Sequence, residues 1–455
     1  MLRHIDTIAA LATPVGTAAI ALVRISGPEA ARLVRDIFGE TPVARLARHA
    51  DYRDVAGMLL DDVLFTFFAG TASYTGEDSL EISCHGNPYI AQRLLEDLLA
   101  RGCRSAGAGE FTQRAFLNGQ MDLVQAEAVM DLIQARSERA LMAANRQLRG
   151  ALGRQMTVLI DGLLLTLARV EAYIDFPDED LPLEDRALVA EQIADVLRGT
   201  DRLLATSHYG EVLRHGIKTV IIGAPNAGKS SLLNRLVGRE RAIVSPEPGT
   251  TRDFIEEVIN LGPHCLRLID TAGLNPTPGA VEKLGIGKTF EIAAEADLFV
   301  VVVDVTSPTP LLDKVLSDRF TVANTVVIFN KTDIRSPATA MTEEFLPGLK
   351  ATVVSVSAKS GAGLEALRMT LAELAEGLAP AMGDDVVAIN ARHARALGQA
   401  RADLAAAAQK LEAGEAAELL ASDLRGALVS LGEISGKVDN ERMLDALFAN
   451  FCIGK

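Results

Sequence analysis

The residues with the clearest chemical capacity are the eight of Gly223-Ala-Pro-Asn-Ala-Gly-Lys-Ser230. The run Lys218-Thr-Val-Ile-Ile222 before them reads as a buried parallel strand, and Ser231-Leu-Leu-Asn-Arg-Leu-Val237 after them reads as an amphipathic helix. A glycine-rich turn between strand and helix lets successive backbone N–H groups converge on phosphate oxygens at the positive helix end. Lys229 can then reach the outer phosphates, and the Ser230 hydroxyl can coordinate magnesium. The plain alternative is a glycine-rich turn that carries a surface lysine.

Three later elements favour the phosphate reading. Leu266-Arg-Leu-Ile-Asp270 is an apolar strand ending in Asp270-Thr271-Ala272-Gly273, which sets a carboxylate beside the magnesium and a glycine N–H near a terminal phosphate. Thr325 to Phe329 runs into Asn330-Lys331-Thr-Asp333, and Val353 to Ser357 runs into Ala358-Lys359. With the glycine-rich turn, these make four elements expected at strand C-termini, where open parallel sheets bind ligands. The Asp333 carboxylate can accept hydrogen bonds from N1–H and the 2-amino group of guanine. Adenine lacks both donors and would leave the carboxylate desolvated and unpaired, so GTP is favoured over ATP. The set expected around GTP is therefore Asn226, Ala227, Gly228, Lys229, Ser230 and Ser231, then Ser245, Pro246, Glu247, Pro248, Gly249, Thr250 and Thr251, and finally the strand-end residues just named.

The expected switch loop is Ser245-Pro-Glu-Pro-Gly-Thr-Thr-Arg-Asp253, in which Thr251 would give the second magnesium hydroxyl; a surface turn is the alternative. Small GTPases commonly place a water-orienting glutamine just after the Asp-x-x-Gly element. Here that position is Leu274, whose apolar side chain cannot orient water. Glu282, in the polar segment after Asn275, is a candidate general base, or else a solvated residue at a helix start. Arg252 is not placed by the sequence as an arginine finger in cis, so transition-state charge would need a bound cation or a partner.

The 455 residues suggest roughly three domains. Hydrophobic residues make up 49%, enough for sizeable cores, and a net charge of -15 gives no overall attraction for nucleic acid or anionic membrane. Any RNA contact must then be a local basic patch. Cys84, Cys103, Cys265 and Cys452 lack metal-ligand spacing, and a reducing cytoplasm fits them best. The segment Ile8 to Val23 imitates a secretory signal, but Pro14 and Gly16 interrupt it and Arg24 follows, so it reads as two strands around a turn. No stretch approaches ~20 uninterrupted apolar residues, so no membrane span is expected.

Along the chain, residues 1–118 read as a compact α/β unit with short strands and one helix near Asn87 to Arg101. Residues 119–215 are long helical stretches, broken at Asp175-Phe-Pro-Asp-Glu-Asp180-Leu-Pro182. Residues 216–380 form the nucleotide domain, and 381–455 return to Ala/Leu-rich helices. The expected fold is an N-terminal α/β domain and an all-α domain split by an inserted Ras-like P-loop G domain with a mostly parallel sheet. Spacing alone does not say whether the two helical blocks pack together.

The motifs and their order resemble the MnmE (TrmE) family of tRNA modification GTPases over essentially the whole chain. The resemblance rests on Asp6-Thr-Ile8, Leu22-Val-Arg-Ile-Ser-Gly27, Tyr74-Thr-Gly-Glu-Asp78, Gly109-Glu-Phe-Thr112, Arg114-Ala-Phe-Leu-Asn118, Gln125-Ala-Glu-Ala128, Ile174-Asp-Phe-Pro-Asp178, Gly249-Thr-Thr-Arg-Asp253 and, most specific, the final Phe451-Cys-Ile-Gly-Lys455. It implies a cytoplasmic homodimer that works with the flavoprotein MnmG, in a heterotetramer-like complex, to add a carboxymethylaminomethyl-type group at carbon 5 of the tRNA wobble uridine. GTP is converted to GDP in the cycle, and a tetrahydrofolate derivative, 5-formyl or 5,10-methylene, is the one-carbon donor. The resemblance further implies that the G domains pair across their nucleotide faces, with potassium in place of an arginine finger. Asn226, Ser245, Glu247 and Thr250 would hold the potassium, and Glu282 falls on the family's catalytic glutamate. Residues 1–118 would bind folate and dimerise. Arg24, Glu81 and Lys455 match folate contacts, and Gln120 stands where the family pattern has a lysine. Cys452 would act as a nucleophile or hydrogen-bonding group, or simply pack. The competing classes are a ribosome-assembly GTPase switch, which would have no evident use for the N-terminal region and Cys-Ile-Gly-Lys, and a helical scaffold whose nucleotide domain gates partner binding.

Overall fold

The computed structural model describes residues 6–175, 183–240, 255–270, 293–307, 317–337, 350–378, 387–436, 447–449, 451–452 and 454. The chain divides into two compact units, one of residues 1–130, 148–160 and 431–455, the other of residues 131–147 and 161–430.

In the first unit the elements are β1 (Ile8–Leu11), β2 (Ile20–Ser26), α1 (Ala30–Phe38), β3 (Ala47–Arg53), β4 (Leu59–Phe68), β5 (Ser79–His85), α2 (Pro88–Ala100), β6 (Arg104–Ser105) and α3 (Glu110–Leu117). The six strands form one sheet in the order β3-β4-β5-β2-β1-β6, antiparallel except for β1 with β6. The expected pair of strands around a turn is β1 and β2. Helix α2 begins at Asn87, whose side chain accepts from the Tyr89 amide, with Pro88 preset for the first turn.

Period-two alternation sets what each sheet face carries. Ala21, Val23 and Ile25 of β2 and Leu80 and Ile82 of β5 join Leu33, Val34, Leu94 and Leu98 of α1 and α2 in one core. The residues between them, Arg24 and Glu81, are register partners and must therefore share the opposite face.

A second constraint in this unit is electrostatic. Arg114 on α3 is fully buried and pairs with Asp6 at 2.8 Å, Glu110 at 2.9 Å and Glu77 at 3.1 Å, while Arg104 reaches Glu110 at 2.6 Å. Burial pushes the Glu110 carboxyl upward, but hydrogen bonds from Arg104, the Gly107 amide and Arg114 outweigh it and bring the pKa down to about 2.

In the helices that follow, α4 spans Leu123–Gln134, α5 Glu138–Leu148, α6 Ala151–Asp175, α7 Leu183–Leu204 and α8 Ser207–His215. The nucleotide-domain elements are β7 (Ile217–Gly223), α9 (Lys229–Glu240), β8 (Ile255–Leu261), β9 (His264–Asp270), β10 (Leu298–Asp304), β11 (Thr325–Asn330), β12 (Thr352–Ser355) and α10 (Leu364–Gly377). Two long helices follow, α11 (Ala391–Ala413) and α12 (Ala417–Ser435). Helix α11 packs along α7, and an Arg401–Asp201 ion pair at 2.6 Å bridges them, so the helical blocks on either side of the insertion do meet. Among the described residues no helix is long and apolar enough to cross a membrane.

The second sheet has the order β12-β11-β10-β7-β9-β8, parallel except for β8 with β9. Both of its faces are covered. Val300 and Val302 enter one core with Leu232, Leu236 and Leu371, while Phe299, Val301 and Val303 enter the other with Val220 and Phe320. Burial on both sides is why β10 reads as an uninterrupted apolar run instead of an alternating one.

A pH prediction follows from Glu110. Its folded pKa lies below the unfolded value of 4.5, so its stabilisation is complete above 4.5 and fades as pH falls toward 2. Thermal melts from neutral pH down to about 2 should show a deficit in Glu110→Gln that is largest at neutral pH and shrinks on acidification below 4.5; a deficit independent of pH would contradict the ion-pair account.

Candidate nucleotide site

The loop that leaves β7 is shaped by two close approaches. A Cβ on Gly223 would stand 2.3 Å from the Val302 carbonyl oxygen, and one on Gly228 would stand 2.2 Å from Nδ2 of Asn330. Any side chain at either position would push the turn off its neighbours. Between them Asn226 has φ +64, a left-handed conformation that Asn tolerates better than most residues.

Lys229 opens α9 and folds back over the loop, its Nζ donating to the carbonyls of Gly223 at 2.8 Å and Ala224 at 2.9 Å. Burial pulls its pKa below the ordinary lysine value, and the Asp270 carboxylate works in the opposite sense. One residue on, the Ser230 hydroxyl donates to Oδ2 of Asp270 at 2.6 Å. A hydroxyl and a carboxylate converging at the mouth of a phosphate loop are hard oxygen donors suited to magnesium.

Asn330, 2% exposed at the end of β11, joins this loop to the next. Its Nδ2 donates to the Ala227 carbonyl at 2.8 Å, and its Oδ1 accepts from the Ala358 amide at 3.0 Å. Asp333 accepts from the Ser357 hydroxyl at 2.7 Å. A cavity of about 710 Å³ opens among Gly228, Ser231, Asn330, Lys331, Asp333 and Lys359. The residues expected from three separate motifs thus line one space, at the C-terminal ends of β7, β11 and β12, beside Asp270 at the end of β9.

Sequence reasoning missed two partners of this site. Asp304, at the end of β10, takes the Lys331 ammonium at 2.5 Å and the Thr306 hydroxyl at 2.6 Å. Burial raises the Asp304 carboxyl, yet these partners together hold it below the usual carboxylate range. A signal for it existed: like Asp270, it is an acid that closes an apolar strand. Arg235 lies on α9 against the same cavity, and its spacing marks it only as a polar position of an amphipathic helix.

Residues 245–251 and 271–273, with Leu274, Glu282 and Lys455, lie outside the described residues. Of the expected potassium donors only Asn226 is described, exposed on the turn.

Of the residues expected to hold folate, Arg24, Glu81 and Gln120 are described, all in the first unit. Arg24 pairs with Glu81 at 2.8 Å, and its guanidinium carbon stands 5.6 Å from the Tyr74 ring centre and 5.8 Å from that of Phe111. Arg24 also reaches the Gly454 carbonyl at 3.5 Å, and the Cys452 carbonyl accepts from the Gly109 amide at 3.3 Å, so Gly454 and Cys452 lie beside β2 and the start of α3. The Cys452 side chain is exposed. Gln120 is exposed just after α3, its side chain against Gly76. A cation flanked by aromatic faces and a carboxylate fits a planar, anionic ligand.

Two family models match the chain: the GTP-binding protein TrmE N-terminus over residues 7–120, and the MnmE helical domain over residues 123–452. The tRNA modification GTPase MnmE of Opitutus terrae is 57% identical over 451 residues, covering 99% of each chain. Those of Symbiobacterium thermophilum and Akkermansia muciniphila are 43% and 42% identical, again over 99% of each chain.

Asn330→Ala leaves the Ala227 carbonyl and the Ala358 amide without their shared partner, a cost of ~1–3 kcal/mol. For ~2 kcal/mol the melting midpoint of the nucleotide-free protein should fall by roughly 4–8 °C. An unshifted midpoint in scanning calorimetry would show that the amide does not hold the loops together.

Proposed function

The chain belongs to the MnmE family of tRNA modification GTPases, and on that premise we propose that it hydrolyses GTP to GDP and phosphate in modifying the tRNA wobble uridine. The observation that carries the guanine reading is the convergence of Asp333, Ser357 and Ala358 with the phosphate loop around one cavity, tied by the Asn330 amide. In this reading the Asp333 carboxylate accepts from N1–H and the 2-amino group of guanine. The amides of residues 226–231 face the phosphates, and Lys229 leaves its loop carbonyls to offset charge on the outer phosphate oxygens.

Magnesium, bound by Ser230 and Thr251, would neutralise charge on the terminal phosphates, and potassium, held by Asn226, Ser245, Glu247 and Thr250, would supply the positive charge for which no arginine is placed. Glu282 orients the attacking water and accepts its proton, a task Leu274 cannot perform. Gly273 would offer its N–H to the terminal phosphate, with Thr271 and Ala272 counted beside it among the GTP-binding residues.

The wider proposal assigns residues 1–118 to folate binding and dimerisation, 216–380 to the G domain, and 119–215 with 381–455 to the helical domain. The protein acts in the cytoplasm as a homodimer whose G domains pair when potassium is bound. With the flavoprotein MnmG it adds a carboxymethylaminomethyl-type group at carbon 5 of the wobble uridine. A tetrahydrofolate derivative, held by Arg24, Glu81, Gln120 and Lys455, is the one-carbon donor, and Cys452 lies near enough to Gly109 to share that region.

Two measurements test the nucleotide half of this proposal. GTP turnover in potassium should exceed that in sodium by on the order of 10–100-fold, as expected when a cation supplies transition-state charge; equal rates would remove the cation mechanism. Asp333→Asn should weaken GTP binding by about 100-fold, because the amide sets an NH2 donor against one of the two guanine donors and leaves the other only a neutral acceptor. Unchanged affinity in calorimetry would overturn the guanine assignment. For the tRNA half, mass spectrometry of wobble nucleosides from cells lacking the protein should reveal the loss of the carbon-5 group; an intact profile would leave a GTPase of another purpose.

A further inference from the structure

Helix α9 does more than present its N-terminus to the phosphate loop. Six residues after Lys229, Arg235 directs its guanidinium at the segment that follows β12: Nε donates to the Ala358 carbonyl at 3.1 Å, and a terminal nitrogen donates to the Lys359 carbonyl at 2.7 Å. Ser231 and Arg235 lie one turn apart on one face of α9, and both line the 710 Å³ cavity. The fork geometry of guanidinium suits two adjacent carbonyls as an ammonium does not.

The same short segment is held from the other side by Asn330, which bonds the Ala358 amide, and its Ser357 hydroxyl bonds the Asp333 carboxylate. Residues 357–359 are therefore fixed at both amide and carbonyl edges. Releasing the carbonyl edge would let Ser357 and Ala358 shift together and free the Asp333 carboxylate from its orientation.

We propose that Arg235 is a positioning residue for guanine recognition: its fork clamps the 358–359 carbonyls to the phosphate-binding helix and so holds the base-reading loop, including the Ser357 partner of Asp333, against the nucleotide. The inference rests on the guanine-nucleotide reading above. It adds that base selectivity depends on the helix that follows the phosphate loop, more than a hundred residues earlier in the chain than the segment it clamps.

The test is stopped-flow release of a fluorescent N-methylanthraniloyl GDP from the full chain, with competition by GDP and by inosine diphosphate, which lacks the 2-amino group. Arg235→Ala should release the nucleotide about tenfold faster, as expected for loss of charge-assisted hydrogen bonds at a partly exposed site, and should narrow the preference for GDP over inosine diphosphate several-fold. Arg235→Lys, which keeps the charge but not the fork, should fall between wild type and Arg235→Ala. An unchanged release rate would overturn the proposal. So would faster release with the GDP preference intact, since that pattern reports general loosening. Wild-type protein that takes up no fluorescent GDP would instead remove the nucleotide reading on which the proposal stands.

Discussion

The nucleotide half of the molecule depends on one buried amide. Asn330 donates to the Ala227 carbonyl and accepts from the Ala358 amide, so the loops that leave three different strands are held at a fixed spacing. The parallel sheet makes such a tie necessary. With β7, β9, β10, β11 and β12 running the same way, their following loops all emerge at one edge, and nothing in the strand hydrogen bonds orders those loops against one another. The tie also explains Gly228, because Asn330 occupies the space that a Cβ would need.

What could be read from the sequence was whatever depended on period and order. The buried strands appeared as apolar runs, the glycine-lysine turn appeared between a strand and a helix, and three strand ends carried residues that line the cavity, with Asp270 at a fourth bonded to Ser230. Asp304 and Arg235 were harder to see for different reasons. Asp304 closes an apolar run as Asp270 does, but its importance comes from Lys331, the residue just after the neighbouring strand, and the register Asp304 with Asn330 is a tertiary fact. Arg235 lies on a helix whose charged residues are usually solvated, and only the rotation of α9 about its axis turns this one toward carbonyls more than a hundred residues away.

In the first unit Arg24 and Glu81 share one face because each alternates with core residues and the two are register partners, and the register of β2 with β5 is a tertiary fact. The rest of that site was not legible in spacing. Tyr74 and Phe111 come from a loop and a helix; Phe111 is carried by α3, the Tyr74 hydroxyl bonds that of Thr112 on the same helix, and α3 is itself anchored. That anchor is the buried Arg114. Its cost of desolvation is met by three carboxylates, so removing one partner should be far more disruptive than removing an exposed ion pair. The return of Gly454 toward Arg24 gives the chain end a place in the same region.

Two described residues near the nucleotide site keep a left-handed backbone without being glycine: Asn226 at φ +64 and Lys331 at φ +65. Such a conformation costs of order 1–3 kcal/mol and persists only where the surroundings impose it. Glycine at either position would relieve the strain but would give up the side chain. For Lys331 the surroundings are visible: Asn330 before it is held at both ends of its amide, and the Lys331 ammonium is drawn to the half-buried Asp304 carboxylate. Pinned at both points, the stem of Lys331 must lie along the cavity wall. The strain at Lys331 is thus the consequence of asking one residue to follow a fixed amide and still reach the end of the adjacent strand.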